Sequence, residues 1–315
     1  MAPSAYDVLI LGERIFCDLI FAGLPQLPKL GEELHCRKLT MTAGGPANTA
    51  IALRRLGLRP GLIADVGNDF FSHFVLDTLA SEGVDTALIR RNAFSAAAVT
   101  AAFPLDDDLA MATYLEAETL PPCAPELLET TSAPILHVCG IHNGRRKLAF
   151  VQAAHAAGLT VLLDFACEEV SLADPATQAL LAVTDYILPN AAEVMAITRC
   201  NDVHQAGEML HAYGPTVVIK LGCRGAIGLD GRGWTAYPAL AIEPLDTTGA
   251  GDCFAAGFIL GLTARLSLAE CLRYGNIAGG LSTLGCGATS APTREQLAAC
   301  LAQTPPAESA NRLSQ

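Results

Sequence analysis

Asp246-Thr247-Thr248-Gly249-Ala250-Gly251-Asp252 leads into an apolar run, Cys253-Phe254-Ala255-Ala256-Gly257-Phe258, with the composition of a helix. Gly249, Ala250 and Gly251 are small enough for the backbone to pass close to a ligand. At a helix start they present unpaired N–H groups and partial positive charge, which together hold an anion. Asp252 adds a carboxylate at the rim. An anion cradle with a general base beside it is what transfer of a phosphoryl group to a hydroxyl requires. The same seven residues also read as an ordinary loop with an aspartate cap, so the rest of the chain has to separate the two.

A second glycine cluster is Gly44-Gly45-Pro46-Ala47-Asn48-Thr49-Ala50. Paired glycines again permit close approach, and Asn48 offers both a donor and an acceptor, as vicinal hydroxyls of a sugar need. A plain turn before a helix has the same composition. Metal chemistry built on His or Cys finds little support. The eleven cysteines form no C-x-x-C pair, no H-E-x-x-H occurs, and His137 and His142 are badly spaced for joint ligation. No G-x-G-x-x-G follows the first apolar run, and no Walker G-x-x-x-x-G-K-[ST] exists, which argues against a dinucleotide enzyme or a P-loop enzyme.

The elements that must position these residues follow a rhythm. Asp7–Leu11, Leu62–Asp65, Ile135–Cys139, Val161–Asp164, Tyr186–Leu188 and Thr216–Leu221 are short apolar runs of strand length. Asn48–Leu56, Asp69–Ser81, Arg145–Ala157, Pro175–Val183 and Ala191–Thr198 have helical composition, with Gly57 and Gly83 as stops. Gly251–Leu262, Leu266–Leu284 and Thr293–Ala302 make the last third helical. The alternation predicts an α/β fold, a mostly parallel sheet covered by helices on both faces. Two stretches break the rhythm and are predicted to form strands of a small lid, approximately residues 14–41 and 96–116. The second reads as a hairpin turning at Asp106–Asp108.

With 315 residues, 51% hydrophobic and 17% charged, the chain can bury one large core. We expect a single domain over 1–315 with the lid appended. The net charge of −12 and the lack of a basic block exclude a nucleic-acid footprint, and no apolar run has the length of a membrane span. The odd cysteine count and the absence of a leader-like N-terminal stretch lead us to expect reduced thiols in the cytoplasm.

The two glycine clusters together resemble the paired motifs of the ribokinase-like (PfkB) carbohydrate kinase family. Gly44-Gly45-Pro46-x-Asn48-x-Ala50, followed by Gly57 and Gly67, is similar to the N-terminal motif, and Asp246–Asp252 matches D-T-x-G-A-G-D in full. Asn190-Ala191-Ala192-Glu193 resembles the N-x-x-E motif, and Lys220-Leu221-Gly222-Cys223-Arg224-Gly225 the K-x-G-x-x-G nucleotide loop. Four motifs in order across nearly the whole chain form a specific signal.

The resemblance implies a three-layer α/β/α core with a small β lid and an ATP-dependent sugar kinase. Asp252 would be the general base, with Gly249, Ala250 and Gly251 as the anion hole. Asn190 and Glu193 would organise Mg²⁺ and phosphates, and Lys220, Gly222 and Gly225 would line the nucleotide, with Asn276 near the adenine. Asp18, Gly44, Gly45 and Asn48 would hold the sugar. Asp246 and Thr248, with backbone near Ser282, Gly285 and Gly287, would match a site for K⁺. Glu193, Asp246 and Thr248 are thus the implied metal residues. A nucleoside acceptor, or a ligand sensor with weak catalysis, is the alternative on the same scaffold. A homodimer through the lid is expected from its exposed strand edges.

Departures from the family pattern sharpen these expectations. Phe165-Ala166-Cys167-Glu168 stands where Asn and Arg are common, which would weaken the phosphate side. Asp106-Asp107-Asp108 replaces the usual lid turn, so no lid arginine is expected at the substrate. Pro46 occupies a position where phosphosugar enzymes tend to have Lys, so an uncharged acceptor is favoured. Near a helix N-terminus, Asp252 is expected to stay ionised at neutral pH. Cys253 at the helix start could have a lowered pKa and react with alkylating agents, or be a buried inert thiol.

Overall fold

The computed structural model describes residues 4–105, 109–116, 124–141, 144–165 and 170–307. Its frame is a nine-stranded sheet. Across the sheet the strands run Gly233–Tyr237, Ala226–Asp230, Thr216–Lys220, Tyr186–Leu188, Thr160–Asp164, Ile135–Val138, Val8–Arg14, Pro60–Val66 and Ile89–Arg91. From Thr216–Lys220 to Ile89–Arg91 all neighbours are parallel; the other two strands add an antiparallel edge.

Parallel strands covered on both faces bury every side chain, which is why the runs are continuously apolar rather than alternating. Leu9, Leu11, Leu136, Val138, Val161 and Leu163 enter one core, while Val8, Ile10, Ile135 and Leu162 enter the other. The expected strands and helices appear close to their predicted places. The antiparallel edge was not legible. Its residues, Gly225-Ala226-Ile227-Gly228-Leu229-Asp230-Gly231-Arg232-Gly233, carry the glycine content of a loop. The strand pairing comes from the tight return at Asp230–Gly233, where the Arg232 N–H donates to the Asp230 carboxylate at 2.8 Å.

A four-stranded sheet forms the lid, in the order Lys38–Gly44, Phe16–Ala22, Ala98–Pro104, Leu109–Leu115. Asp18 lies opposite Thr42 and Thr100 on its two neighbours, and Phe21 stacks on Phe103 at 5.3 Å. The strand Lys38–Gly44 continues past residue 41, so the first glycine cluster is the end of a lid strand and not a separate loop. The acidic turn 106–108 lies outside the described residues.

The helix Ala250–Thr263 is buried continuously from Cys253 to Gly261. It is apolar all round because helices Pro46–Arg55 and Leu268–Ser282 flank it under the sheet. Glycine makes the closest of these approaches possible: a Cβ at Gly257 would sit 2.5 Å from the Tyr274 carbonyl oxygen. Gly257→Ala should therefore lower stability by about 1–3 kcal/mol through overpacking, despite alanine's better helix propensity. Urea denaturation checks this, and an unchanged or higher midpoint would contradict the tight helix contact.

Candidate active site

Two helix N-termini meet at the carboxyl edge of the sheet. Helix Pro46–Arg55 begins after Gly45, whose φ of 60° only glycine adopts cheaply, and has Pro46 in its first turn. Helix Ala250–Thr263 begins after Gly249, with φ 76°, and carries Asp252 in its first turn. The Asn48 side-chain amide donates to one Asp252 carboxylate oxygen at 2.9 Å, and the Thr49 hydroxyl to the other at 3.2 Å. Gly249 lies against Asn48, so a side chain there would crowd the amide.

Burial pushes the Asp252 carboxyl up to about 6, the Asp164 charge pushes the same way, and the Asn48, Lys220 and Thr49 contacts oppose both. Asp252 is still mostly ionised at neutral pH, as expected. It is held so by side-chain donors acting against burial.

Asp18 comes down from the lid onto the first glycine cluster. Its carboxylate rests on the Gly44 backbone, where any Cβ would collide with it. Burial, then the Asp252 and Asp246 charges, push Asp18 up to about 7 against a hydrogen bond with Thr100. Asp18, Gly44, Asn48 and Asp252 are thus brought together, with Gly45 turning the chain into the helix beneath. Asn48 Oδ1 is buried with no hydrogen-bond partner, an acceptor left for a ligand hydroxyl.

On the other side of Asp252, Lys220 Nζ pairs with Asp164 at 2.9 Å. The ammonium lies over the first turn of the Asp252 helix, 3.4 Å from where a Gly251 Cβ would stand. Burial alone would lower the lysine, but Asp164 and Glu193 raise it, and it stays charged. Nothing local in the sequence marks Asp164 as a partner or Thr49 as a donor. Asp164 ends a strand, and Lys220, two strands away in the sheet, gives it a role.

Asn190 and Glu193 form a capping box. The Glu193 N–H donates to Asn190 Oδ1 at 2.9 Å and the Asn190 N–H to Glu193 Oε2 at 2.8 Å. The N-x-x-E spacing therefore has a purely local reason to exist. Burial pushes the Glu193 carboxyl up to about 7, with Lys220 opposing and the Asp164 and Asp252 charges adding to it. Of Phe165-Ala166-Cys167-Glu168, where a departure was expected, only Phe165 is among the described residues.

Lys220, Gly222, Gly225, Ala250, Gly251 and Asn276 line a cleft of about 280 Å³, whose further wall is Leu240, Ile242 and Phe254. Asn276 is in place, but its amide N–H groups already donate to the Tyr237 and Pro238 carbonyls at 2.7 and 3.2 Å.

Behind the cradle, buried Asp246 accepts the Thr248 N–H at 2.9 Å and the Gly287 N–H at 3.2 Å. Thr248 Oγ1 is buried beside it with no partner. Asp246 and Thr248 are neighbours, whereas Glu193 belongs to the Lys220 side. Among the described residues no group of three or more His, Cys, Asp or Glu is placed to hold a metal ion. Cys253 is the buried inert thiol of the two readings: it is 2% exposed, and burial pushes its thiol up to about 12.

Among the described residues no helix is long and apolar enough to cross a membrane. A family model described as pfkB family carbohydrate kinase matches residues 8–294. A fructokinase of Klebsiella pneumoniae is 30% identical over 83% of this chain and 92% of its own length. A ribokinase of Haemophilus influenzae is 28% identical over 87% and 92%. Among solved structures, Arabidopsis thaliana ribokinase complexed with ribose and ATP superposes with a TM-score of 0.76 at 22% identity, over 96% of this chain and 99% of that one. The family match spans both helix starts that meet at Asp252, and the chain belongs to the pfkB family of carbohydrate kinases.

Proposed function

We propose that this chain works as a single kinase domain that transfers the terminal phosphoryl group of ATP to a hydroxyl of an uncharged sugar. The observation that carries this reading is the half-buried Asp252 carboxylate, set at a helix start between the unpartnered Asn48 Oδ1 and a cleft roofed by a lysine. Asn48 and Thr49 keep Asp252 ionised and aimed, so it can take the proton of an attacking hydroxyl. Gly249, Ala250 and Gly251 direct backbone N–H groups at the transferred phosphoryl group. Lys220 adds positive charge there. Asp18 and Asn48 Oδ1 accept hydrogen bonds from sugar hydroxyls. The excess of carboxylates around Asp18 disfavours an anionic acceptor, and no lysine stands at Pro46.

ATP fits the cleft in chemistry: apolar walls for a base, glycines and Lys220 for phosphates. Mg²⁺ entering with the nucleotide would be held on the Asn190–Glu193 and Asp164 side, mostly through water and phosphate oxygens, and would neutralise phosphate charge. Few protein ligands suit an ion that keeps its water. The unpartnered Thr248 Oγ1 beside Asp246 suits a K⁺ ion bound by oxygen. The edge strand Leu109–Leu115 exposes Met111, Tyr114 and Leu115, which supports lid-to-lid pairing as the dimer mode.

Asp252→Asn should lose turnover by roughly 10²–10⁴-fold while melting like the parent. ADP release with ribose, fructose, 2-keto-3-deoxygluconate or adenosine as acceptor measures it, and near-parental turnover would sink the assignment. The panel also separates sugar from nucleoside use, and nucleotide binding without transfer to any acceptor would favour a sensor. Exchange of K⁺ for a large organic cation should lower activity, and Thr248→Val should abolish that sensitivity.

The pH dependence has two opposite signs. Turnover should rise with pH through about 6 as Asp252 ionises, and acceptor affinity through about 7 as Asp18 does. Stability of the unliganded chain runs the other way. Folded Asp18 binds its proton more tightly than the unfolded value of 3.8 allows, so its contribution falls as pH rises from there to about 7. Asp18→Asn should therefore raise the apo melting temperature more at pH 8 than at pH 5 (pH values roughly bracketing the shift), while weakening acceptor binding. Equal shifts at both pH values would refute the linkage.

A further inference from the structure

Lys147 is one of the largest fully buried side chains of the protein, 1% exposed, and the proposed transfer does not use it. It lies in the first turn of helix Gly144–Ala156, where the helix field disfavours a cation. A charge persists in such a place only when its partners hold it. Lys147 Nζ donates to the Gly140 carbonyl at 2.9 Å and the Cys139 carbonyl at 3.4 Å, and pairs with Glu13 at 3.3 Å.

Those partners belong to two segments that border the proposed acceptor site. Glu13 follows Gly12, which presses on Pro46 beside the first glycine cluster. The same segment runs on into the lid strand that carries Asp18. Gly140, at φ 84°, turns the chain out of the strand Ile135–Val138. The Cys139 N–H donates to the Leu11 carbonyl at 3.0 Å, so this corner abuts the same Gly12–Glu13 segment. The turn leaves two strand-end carbonyls facing inward, and one ammonium group satisfies both while drawing Glu13 to them.

We propose that Lys147 is a positioning residue for the acceptor: its contacts brace the Cys139–Gly140 corner against the Glu13 segment and so set the shape of the sugar pocket. The inference rests on the phosphoryl-transfer reading for its consequence, though not for the brace itself. Loosening one wall misplaces the hydroxyl relative to Asp252 and leaves the nucleotide cleft, on the far side of Lys220, untouched.

The test uses the full chain with Lys147→Met and, separately, Glu13→Gln, which removes the ionic partner but keeps the lysine and its carbonyl contacts. Acceptor KM should rise by roughly tenfold to a hundredfold in Lys147→Met and less in Glu13→Gln, with the Kd for a fluorescent ATP analogue unchanged. Without any acceptor or nucleotide, iodoacetamide should label Cys139 faster in both variants, as mapped by mass spectrometry. A lower melting temperature with both constants unchanged, an equal loss on the nucleotide side, or an unaltered Cys139 rate overturns the proposal. If Lys147→Met does not fold, Glu13→Gln decides by the same readouts. A parent chain that phosphorylates no sugar overturns the kinase reading alone, and the Cys139 rate still decides the brace.

Discussion

The Asp252 carboxylate is half-buried at a helix start, and the structure around it answers the cost of that partial burial. A buried acid drifts toward its neutral form, and a neutral acid cannot act as a base. Asn48 and Thr49 donate to it from a helix more than two hundred residues earlier in the chain. That bond requires two helix N-termini to face each other at the carboxyl edge of one sheet. The crossovers that bring Pro46–Arg55 and Ala250–Thr263 to the same face of the sheet, and the glycines that let these helices close up, serve that meeting.

The same burial makes the region electrostatically crowded. Asp164, Glu193 and Asp252 gather around Lys220, with Asp18 and Asp246 on the other side of Asp252, and Asp164 already occupies the lysine. Neighbouring carboxylates raise one another, so the unliganded site holds protons that the proposed transfer would have to release. A cation and the hydroxyls of an acceptor relieve that strain, which makes ligand binding and stability parts of one balance. Lys147 shows the complementary solution, a buried cation settled by an acid and two carbonyls.

Much of the architecture was legible in the chain. Buried parallel strands write themselves as unbroken apolar runs, and the helix stops at Gly57 and Gly83 are local chemistry. The antiparallel edge at Ala226–Tyr237 was not, because its pairing is made by a turn within a glycine-rich segment that has no strand signature of its own. The lid end at residue 41 fell short for a similar reason: Gly44 reads as a loop glycine until Asp18 from the next strand occupies the space of its missing side chain. Of the two readings of Cys253, the buried inert thiol holds, because a helix start lowers a thiol only where water or charge reaches it, and this side chain is 2% exposed.

The residue types of the site were written in the sequence by itself: small residues before a helix, an aspartate after them, an asparagine behind paired glycines, a lysine at a strand end. Local rules connect such types to local shapes, and the Asn190–Glu193 cap is an example complete within four residues. Tertiary structure alone decided which of them share charge and hydrogen bonds. Asp252 with Thr49, Lys220 with Asp164, and Lys147 with Glu13 are all joined across distant segments. Their energies depend on burial and distance, which sequence spacing does not carry and folding supplies.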